Sequence, residues 1–441
     1  MLNKCRFLPL FALVFVLAAG ITAYAEGWSQ SGNYWVYTEN NNEPVINEWR
    51  KGTDGKWRWL DSYGHMAVNS WVDDVYFVDG EGIMLADTWQ KIMDDGEPFW
   101  YYFQNSGKKV QNAWKEVGGS RYYFDESGHM LTGWILDNTY YCNEDGKMRT
   151  GWQYLPDPED SYRSYTDPFE STEDTHWYYF QSSGKKYGAS ESASGYTEKR
   201  IDGKKYCFDV NGAMMTGWVH VLDEDGIQAY RYYNTDGSLR TGWYSLNPPE
   251  SMERHYDQDV VWFYFGTSGA PYAAADTPYK AADVLRIGSK RYLFDIYGAP
   301  LYGLQKIYTD NGNDWTAYCF GTSVSNCSVL TGKQTVTEGD GTRTTFYFGT
   351  NGAGLTGVKD GYLYYKGKLQ KAESGTSYQA IEISGGQTYL VSTAGKIAKS
   401  KTVKDADGNK YKTDGAGHVI SLNDVPVTDY KGIAATEPYF N

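Results

Sequence analysis

An aromatic triplet, a short turn closed by glycine, and then a glycine–tryptophan pair recur along this chain at intervals of about 20 residues. One clear copy runs Arg121-Tyr122-Tyr123-Phe124, Gly128, Gly133-Trp134, and the next follows at once as Tyr140-Tyr141-Cys142, Gly146, Gly151-Trp152. A short fixed period points away from one globular core and toward an array in which each unit touches its neighbours. Function in such an array belongs to repeated surfaces and to the grooves between units. Turn glycines run from Gly64 to Gly352, with weaker copies near Gly32, Gly395 and Gly415.

Each unit reads as a β-hairpin. Trp100-Tyr101-Tyr102-Phe103 is a strand by its aromatic content, and Gln104-Asn105-Ser106-Gly107 is a turn whose glycine supplies the positive φ. A lone two-stranded hairpin is marginal in water, so one face of each must be buried against the next. Strand alternation puts Tyr101 and Phe103 on one face and Trp100 and Tyr102 on the other. The expected fold is an all-β solenoid of tandem hairpins. Insertions rich in Pro, Asp and Glu, Leu155 to Thr175 and Leu246 to Asp259, read as solvated loops. From Val358 onward the units degenerate, with more Lys, Ser and Thr, as a capping segment would.

The chain opens with Lys4 and Arg6, an apolar run from Phe7 to Ile21 and the small-residue site Ala23-Tyr24-Ala25. That order is the pattern of a cleaved secretory signal. The expected organisation is a signal over 1–25, aromatic hairpin repeats over 26–357 and degenerate repeats over 358–441. No later apolar stretch is long enough to span a bilayer, so the mature chain is expected outside the cell without a membrane span. The last residues carry no hydrophobic tail, so any hold on a surface is expected to be noncovalent.

The formal charge is −14, and loss of Lys4 and Arg6 with the signal makes it −16. An acidic chain without a basic cluster is a poor partner for nucleic acid. Tyrosine outnumbers phenylalanine by 41 to 17, which fits half-wet contact surfaces better than a dry core. Cys142, Cys207 and Cys319 sit inside aromatic triplets and read as small buried hydrophobes, while Cys319 and Cys327 are close enough in sequence to close a local bridge. No zinc spacing, H-E-x-x-H, G-x-S-x-G or P-loop pattern occurs, so neither catalysis nor a metal nor a cofactor is expected.

The pattern Gly-Trp, spacer, Trp-Tyr-Tyr-Phe, turn, Gly-x-Met-x-Thr-Gly-Trp is present as Trp89 through Trp100-Tyr101-Tyr102-Phe103 to Gly107, and as Gly128-His129-Met130-Leu131-Thr132-Gly133-Trp134. It resembles the cell-wall-binding, or choline-binding, repeat of Gram-positive surface proteins, whose hairpin is shared by glucan-binding and clostridial-toxin repeats. The resemblance implies a left-handed superhelix and ligand sites between consecutive hairpins. In the family a cage combines the Gly-Trp tryptophan, a strand tryptophan of that unit and an aromatic of the next. Carried onto matching positions, this implies three ligand-binding sets: Trp49, Trp57 and Phe77; Trp89, Trp100 and Tyr123; Trp218, Tyr230 and Tyr264. Elsewhere Trp152 and Trp177 would meet Cys207, and Trp243 and Trp262 would meet Leu293, so the pattern is incomplete there.

A quaternary ammonium offers no hydrogen-bond donor, so aromatic faces hold it by cation–π attraction and methyl contact. The leading expectation is a secreted, noncatalytic protein that docks on cell-wall polymer, either choline-bearing teichoic acid or glycan. A glycan-binding adhesin for host or dietary carbohydrate is the first alternative, and a structural or protein-interaction array the second.

Overall fold

The structure is a computed structural model that describes residues 26–40, 43–159, 174–189, 195–222, 228–249, 255, 259–309 and 311–440. The expected signal segment 1–25 lies outside them. The described chain is all-β, with a single 3₁₀ turn at Ala281–Asp283. From Gly27 to Cys319 its sheets are antiparallel pairs of consecutive strands, as a run of hairpins requires.

The Trp89 hairpin shows how the sequence builds one. Thr88–Asp94 pairs with Glu97–Phe103, which sets Trp89 opposite Tyr102 and Lys91 opposite Trp100. The turn that follows a strand pair is closed by the backbone and, in most copies, by an acidic or amide side chain. At Asp61 the carbonyl accepts from Gly64 N at 3.0 Å, and Oδ1 accepts from the amides of Tyr63 and His65 at 2.8 and 2.9 Å. Asp79, Asp125, Asp209, Asp295 and Asp414 repeat the arrangement.

The turn glycine is needed twice over. Gly107 has φ +81°, and a Cβ built there would lie 2.5 Å from Sδ and Cε of Met84, which belongs to the preceding unit. Gly82, Gly146, Gly184 and Gly237 receive Met66, Met130, Met148 and Met214 in the same way. The Met slot of one unit is therefore seated on the turn glycine of the next, which couples neighbours. Gly107→Ala is expected to cost roughly 2–3 kcal/mol, the sum of left-handed backbone strain and a displaced methionine. Thermal denaturation of that variant against the parent measures it, and an unchanged melting temperature would contradict the coupling.

The described residues form two compact units, one from those within 26–158 and 177–187, the other from those within 159–176 and 188–440. In each, small clusters of buried side chains lie between successive hairpins, such as Tyr102, Val110, Tyr122 and Phe124 in the first and Leu293, Ile307, Tyr318 and Phe320 in the second. Beyond Gly332 the second unit changes character. Gly332–Thr337, Arg343–Phe348, Gly357–Lys359, Tyr362–Tyr365 and Lys368–Leu369 join in one five-stranded sheet. The boundary expected between 357 and 358 runs through this sheet, because Lys368 pairs back onto Phe346. The C-terminal segment then returns: Ile433 pairs in parallel with Ile381, Tyr439 N donates to Glu338 Oε2 at 2.8 Å, and Phe440 packs edge-on to Trp315 at 5.5 Å.

The Cys319–Cys327 bridge is corrected by the structure, in which both cysteines are free. Cys319 lies in a core cluster with Ala317, Val336, Phe346 and Phe348, and burial pushes its thiol up to about 11. Cys327 faces a different neighbourhood, beside Tyr292 in a surface cavity. The two residues are close in sequence, but strand alternation and the bend at Ser323–Asn326 send them to separate places.

Candidate ligand-binding notches

Strand alternation gives each hairpin two aromatic faces. The front face carries the Gly-Trp indole, its cross-strand partner and the strand residue two positions earlier; the rear face closes on the preceding hairpin. At the best-formed notch Trp89 and Trp100 stand at 88° with ring centres 6.4 Å apart, and Tyr102 closes on Trp89 edge-on at 5.1 Å. The next hairpin contributes Tyr122 at 4.8 Å and Phe124 at 5.7 Å from Trp89. Tyr102 donates its hydroxyl to Asp87, and this bond, with burial, pushes the phenol up to about 12, so the ring is neutral at ordinary pH. Trp100 remains 42% exposed, so the corner between the two indoles opens to solvent. Lys91 Nζ lies 5.9 Å from Trp100 and Lys115 Nζ 5.5 Å from Tyr102, at the rim.

The expected third member of this set, Tyr123, is elsewhere. It faces forward in its own hairpin, where it pairs with Trp114 at 5.2 Å and donates its hydroxyl to Asn112 at 3.0 Å. Tyr122, one residue earlier, is the rear-facing ring that meets Trp89. The same displacement by one recurs in the other two sets. Trp49 meets Trp59 of its own hairpin at 5.3 Å and Tyr76 of the next at 5.5 Å, whereas Phe77 pairs with Trp71. Trp218 meets Phe263 at 5.3 Å, whereas Tyr264 pairs with Trp243. The cause is the two-residue period of a strand: adjacent residues point to opposite faces. The tryptophans of the first two sets do share a front face, since Trp57 and Trp59 are two apart, as are Trp100 and Tyr102.

The Trp218 notch is closed. Trp218 and Tyr230 stand at 86° with centres 6.1 Å apart, but Trp218 is only 4% exposed, packed with Leu246, Val261, Phe263 and Phe265. Its Nε1 donates to Asn247 O at 2.8 Å, and His220 stacks on Tyr230 at 4.6 Å. These rings hold hairpins together and leave no seat.

Shifting the register by one also uncovers a notch that the sequence pattern passed over. Trp243 meets Tyr292 at 5.1 Å and Phe294 at 5.7 Å, and Leu293 turns away into the core. Trp243, Trp262 and Tyr292 line a cavity of about 290 Å³ together with Lys290 and the segment Val324 to Ser328. Trp262 is 44% exposed at its mouth. A perpendicular pair, Trp152 and Trp177 at 83° and 6.5 Å, occurs in the first unit as well.

Parts of the chain are similar to known repeats. Residues 86–133 match the choline-binding repeat, and residues 132–148 and 172–186 match the cell wall binding repeat. Within residues 86–148 and 172–186 the hairpins are similar to choline-binding and cell wall binding repeats. Glucosyltransferase-S of Streptococcus mutans is 26% identical over 45% of this chain and 15% of its own length. Glucosyltransferase-I of Streptococcus downei is 26% identical over 71% of this chain and 19% of its own. The chain thus spans less than a fifth of the length of these curated relatives. Among solved structures, choline binding protein F of Streptococcus pneumoniae, crystallised with a peptidoglycan analogue, is 22% identical over 67% of this chain and all 100% of its own, with a TM-score of 0.37. The modular autolysin LytC of the same organism, in complex with a synthetic peptidoglycan ligand, is 20% identical over 64% of this chain and 54% of its own, with a TM-score of 0.39.

One hairpin carries an ion cluster in place of the Gly-Trp indole. In the Tyr196–Asp209 hairpin, Glu198 stands opposite Cys207, the position at which Trp89 stands opposite Tyr102 and Trp218 opposite Tyr232. Glu198 binds Arg231 of the next repeat, accepts from Tyr233 Oη and pairs with Lys205 Nζ at 3.3 Å. An ion cluster therefore replaces a notch. Sequence patterning missed it because a glutamate in an acidic chain gives no signal unless the repeats are aligned on strand register. Among the described residues no group of three His, Cys, Asp or Glu side chains is placed to hold a metal.

Proposed function

We propose that this chain is a secreted, noncatalytic surface protein that docks on cell-wall polymer through aromatic notches, the Trp89/Trp100 notch taking a quaternary ammonium group such as choline. The observation that carries this reading is the open perpendicular indole pair backed by Tyr102 and Tyr122. Two indole faces at right angles surround a methylated cation on two sides, and a third ring closes the floor. Such a seat supplies cation–π attraction of about 0.5–2 kcal/mol per ring without asking for a hydrogen bond. The chain's net charge of −14 favours a cationic head over an anionic surface. The matching repeat profiles and the peptidoglycan ligands of the pneumococcal proteins support a wall polymer as the target. The array of hairpins between 26 and 357 is the binding region in this reading, and attachment is noncovalent.

The Trp243 notch favours a second ligand class. Lys290, Ser325, Asn326 and Ser328 line it beside the three rings. Amide and hydroxyl groups there suit the hydroxyls of a pyranose stacked on indole. We read this notch as a sugar seat, which makes the protein a reader of both decorations on a glycan polymer.

Tryptophan fluorescence titrated with choline tests the first reading. A saturable change in the millimolar range is expected, and Trp100→Ala should weaken it at least tenfold with the fold intact. A flat titration in the parent, or retention of whole protein on choline-washed cells, would refute choline as the ligand.

A further inference from the structure

We infer that Lys109, Arg121 and Lys186 fill, from within the chain, the cation seat of three notches, so that the residues at two repeat positions decide which notches accept an external ligand. The first position is the strand slot, recognisable because its carbonyl accepts a backbone hydrogen bond from the following repeat. Met84 N donates to Trp57 O and Met130 N to Trp100 O, and in both cases the slot holds a tryptophan wall. The equivalent bonds run from Lys109 N to Val75 O, from Met148 N to Arg121 O and from Lys186 N to Thr139 O. In these repeats the wall tryptophan is missing.

In these three repeats a cation of the chain lies on the Gly-Trp indole instead. Lys109 Nζ is 4.8 Å from the centre of Trp71, Arg121 Cζ 4.9 Å from that of Trp114, and Lys186 Nζ 5.0 Å from that of Trp134. The cation comes from either of two places, yet reaches the same distance from the same ring. Where the slot holds the short Val75 or Thr139, the next repeat carries lysine in its Met slot; where the slot holds Arg121, the next repeat keeps Met148. In the walled notches, by contrast, Lys51 and Lys91 lie over Trp57 and Trp100, their cross-strand partners, and among the described contacts no lysine or arginine lies over the inner indoles Trp49 and Trp89.

The Trp71 notch is the most complete of the three. Phe77 and Tyr101 stand edge-on to Trp71 at 5.2 and 5.0 Å, and Phe103 lies at 5.8 Å. The Lys109 side chain is 4% exposed and its ammonium pairs with Asp74 at 3.2 Å. Its stem runs past Gly128, as Met84 runs past Gly107. Methionine at 109 therefore retains the packing of the stem and vacates only the ammonium position.

The test is Lys109→Met in the full chain, probed with tetramethylammonium chloride by calorimetric titration, with sodium chloride as the ionic control. The expected result is one additional bound tetramethylammonium per chain relative to the parent, and a saturable rise in melting temperature that the parent lacks at that site. Lys109→Ala, which leaves a larger gap, should be rescued in the same assay by ethylammonium, whereas Ile92→Ala, a core truncation in the same cluster, should not. Equal stoichiometry in parent and Lys109→Met, or rescue of Ile92→Ala to the same degree, would overturn the inference. The outcome is separable from the proposed function: gain of a site in Lys109→Met stands even if the parent binds no choline, and choline binding by the parent stands even if no site is gained.

Discussion

Glu198→Ala is expected to destabilise the second unit by roughly 3 kcal/mol, because it strands buried cations rather than merely deleting a contact. The Glu198 side chain is 19% exposed and Arg231 12% exposed, and Arg231 has no other acidic partner among the described contacts. Burial works to raise the Glu198 pKa, yet hydrogen bonds from Arg231 and Tyr233 and the charges of Arg231 and Lys205 outweigh it and hold the carboxyl below its usual range. The linkage follows from that direction. A carboxylate whose folded pKa is depressed contributes stability above its unfolded pKa, and that contribution disappears as pH falls through the folded value. The gap in melting temperature between parent and Glu198→Ala should therefore be full at pH 7 and shrink below about pH 4. Glu198→Gln, which keeps shape and some hydrogen bonding, should lie between them. A gap that does not change with pH would show that the glutamate acts by packing alone.

That cluster also shows where the sequence stops being informative. The repeat period, the hairpins and the existence of two aromatic faces follow from residue order, because alternation and glycine turns are local properties. The composition of the first two notches follows as well, once alternation is applied across the hairpin boundary: if Tyr101 faces backward, then Tyr122, its equivalent, must face backward too, and Tyr123 cannot reach Trp89. The same step recovers Tyr292 for the Trp243 notch. Other features were not legible. Whether Trp218 is open depends on how closely Leu246 and Val261 approach it, a packing property that no spacing encodes. The return of the C-terminal segment to Trp315 and Glu338 joins positions about a hundred residues apart, and it bears no local mark. The role of Lys109 needs both the slot that it leaves and the ring that it reaches.

Trp262→Ala should abolish ligand uptake at the Trp243 notch while leaving the fold nearly unchanged. Trp262 is 44% exposed and sits opposite Ser245, so its removal opens little core and should cost on the order of 1 kcal/mol. Trp243 differs: it touches Tyr264, Tyr292 and Phe294, so Trp243→Ala should cost about 3 kcal/mol and confound binding with stability. The comparison that decides the ligand class is therefore Trp262→Ala against Trp100→Ala, titrated with a soluble glucan oligosaccharide and with choline. If the polar lining selects sugar, Trp262→Ala loses at least tenfold in glucan affinity and keeps its choline response, and Trp100→Ala does the reverse. If Trp262→Ala instead weakens choline and glucan alike, both notches serve one ligand and the polar side chains around Asn326 are bystanders.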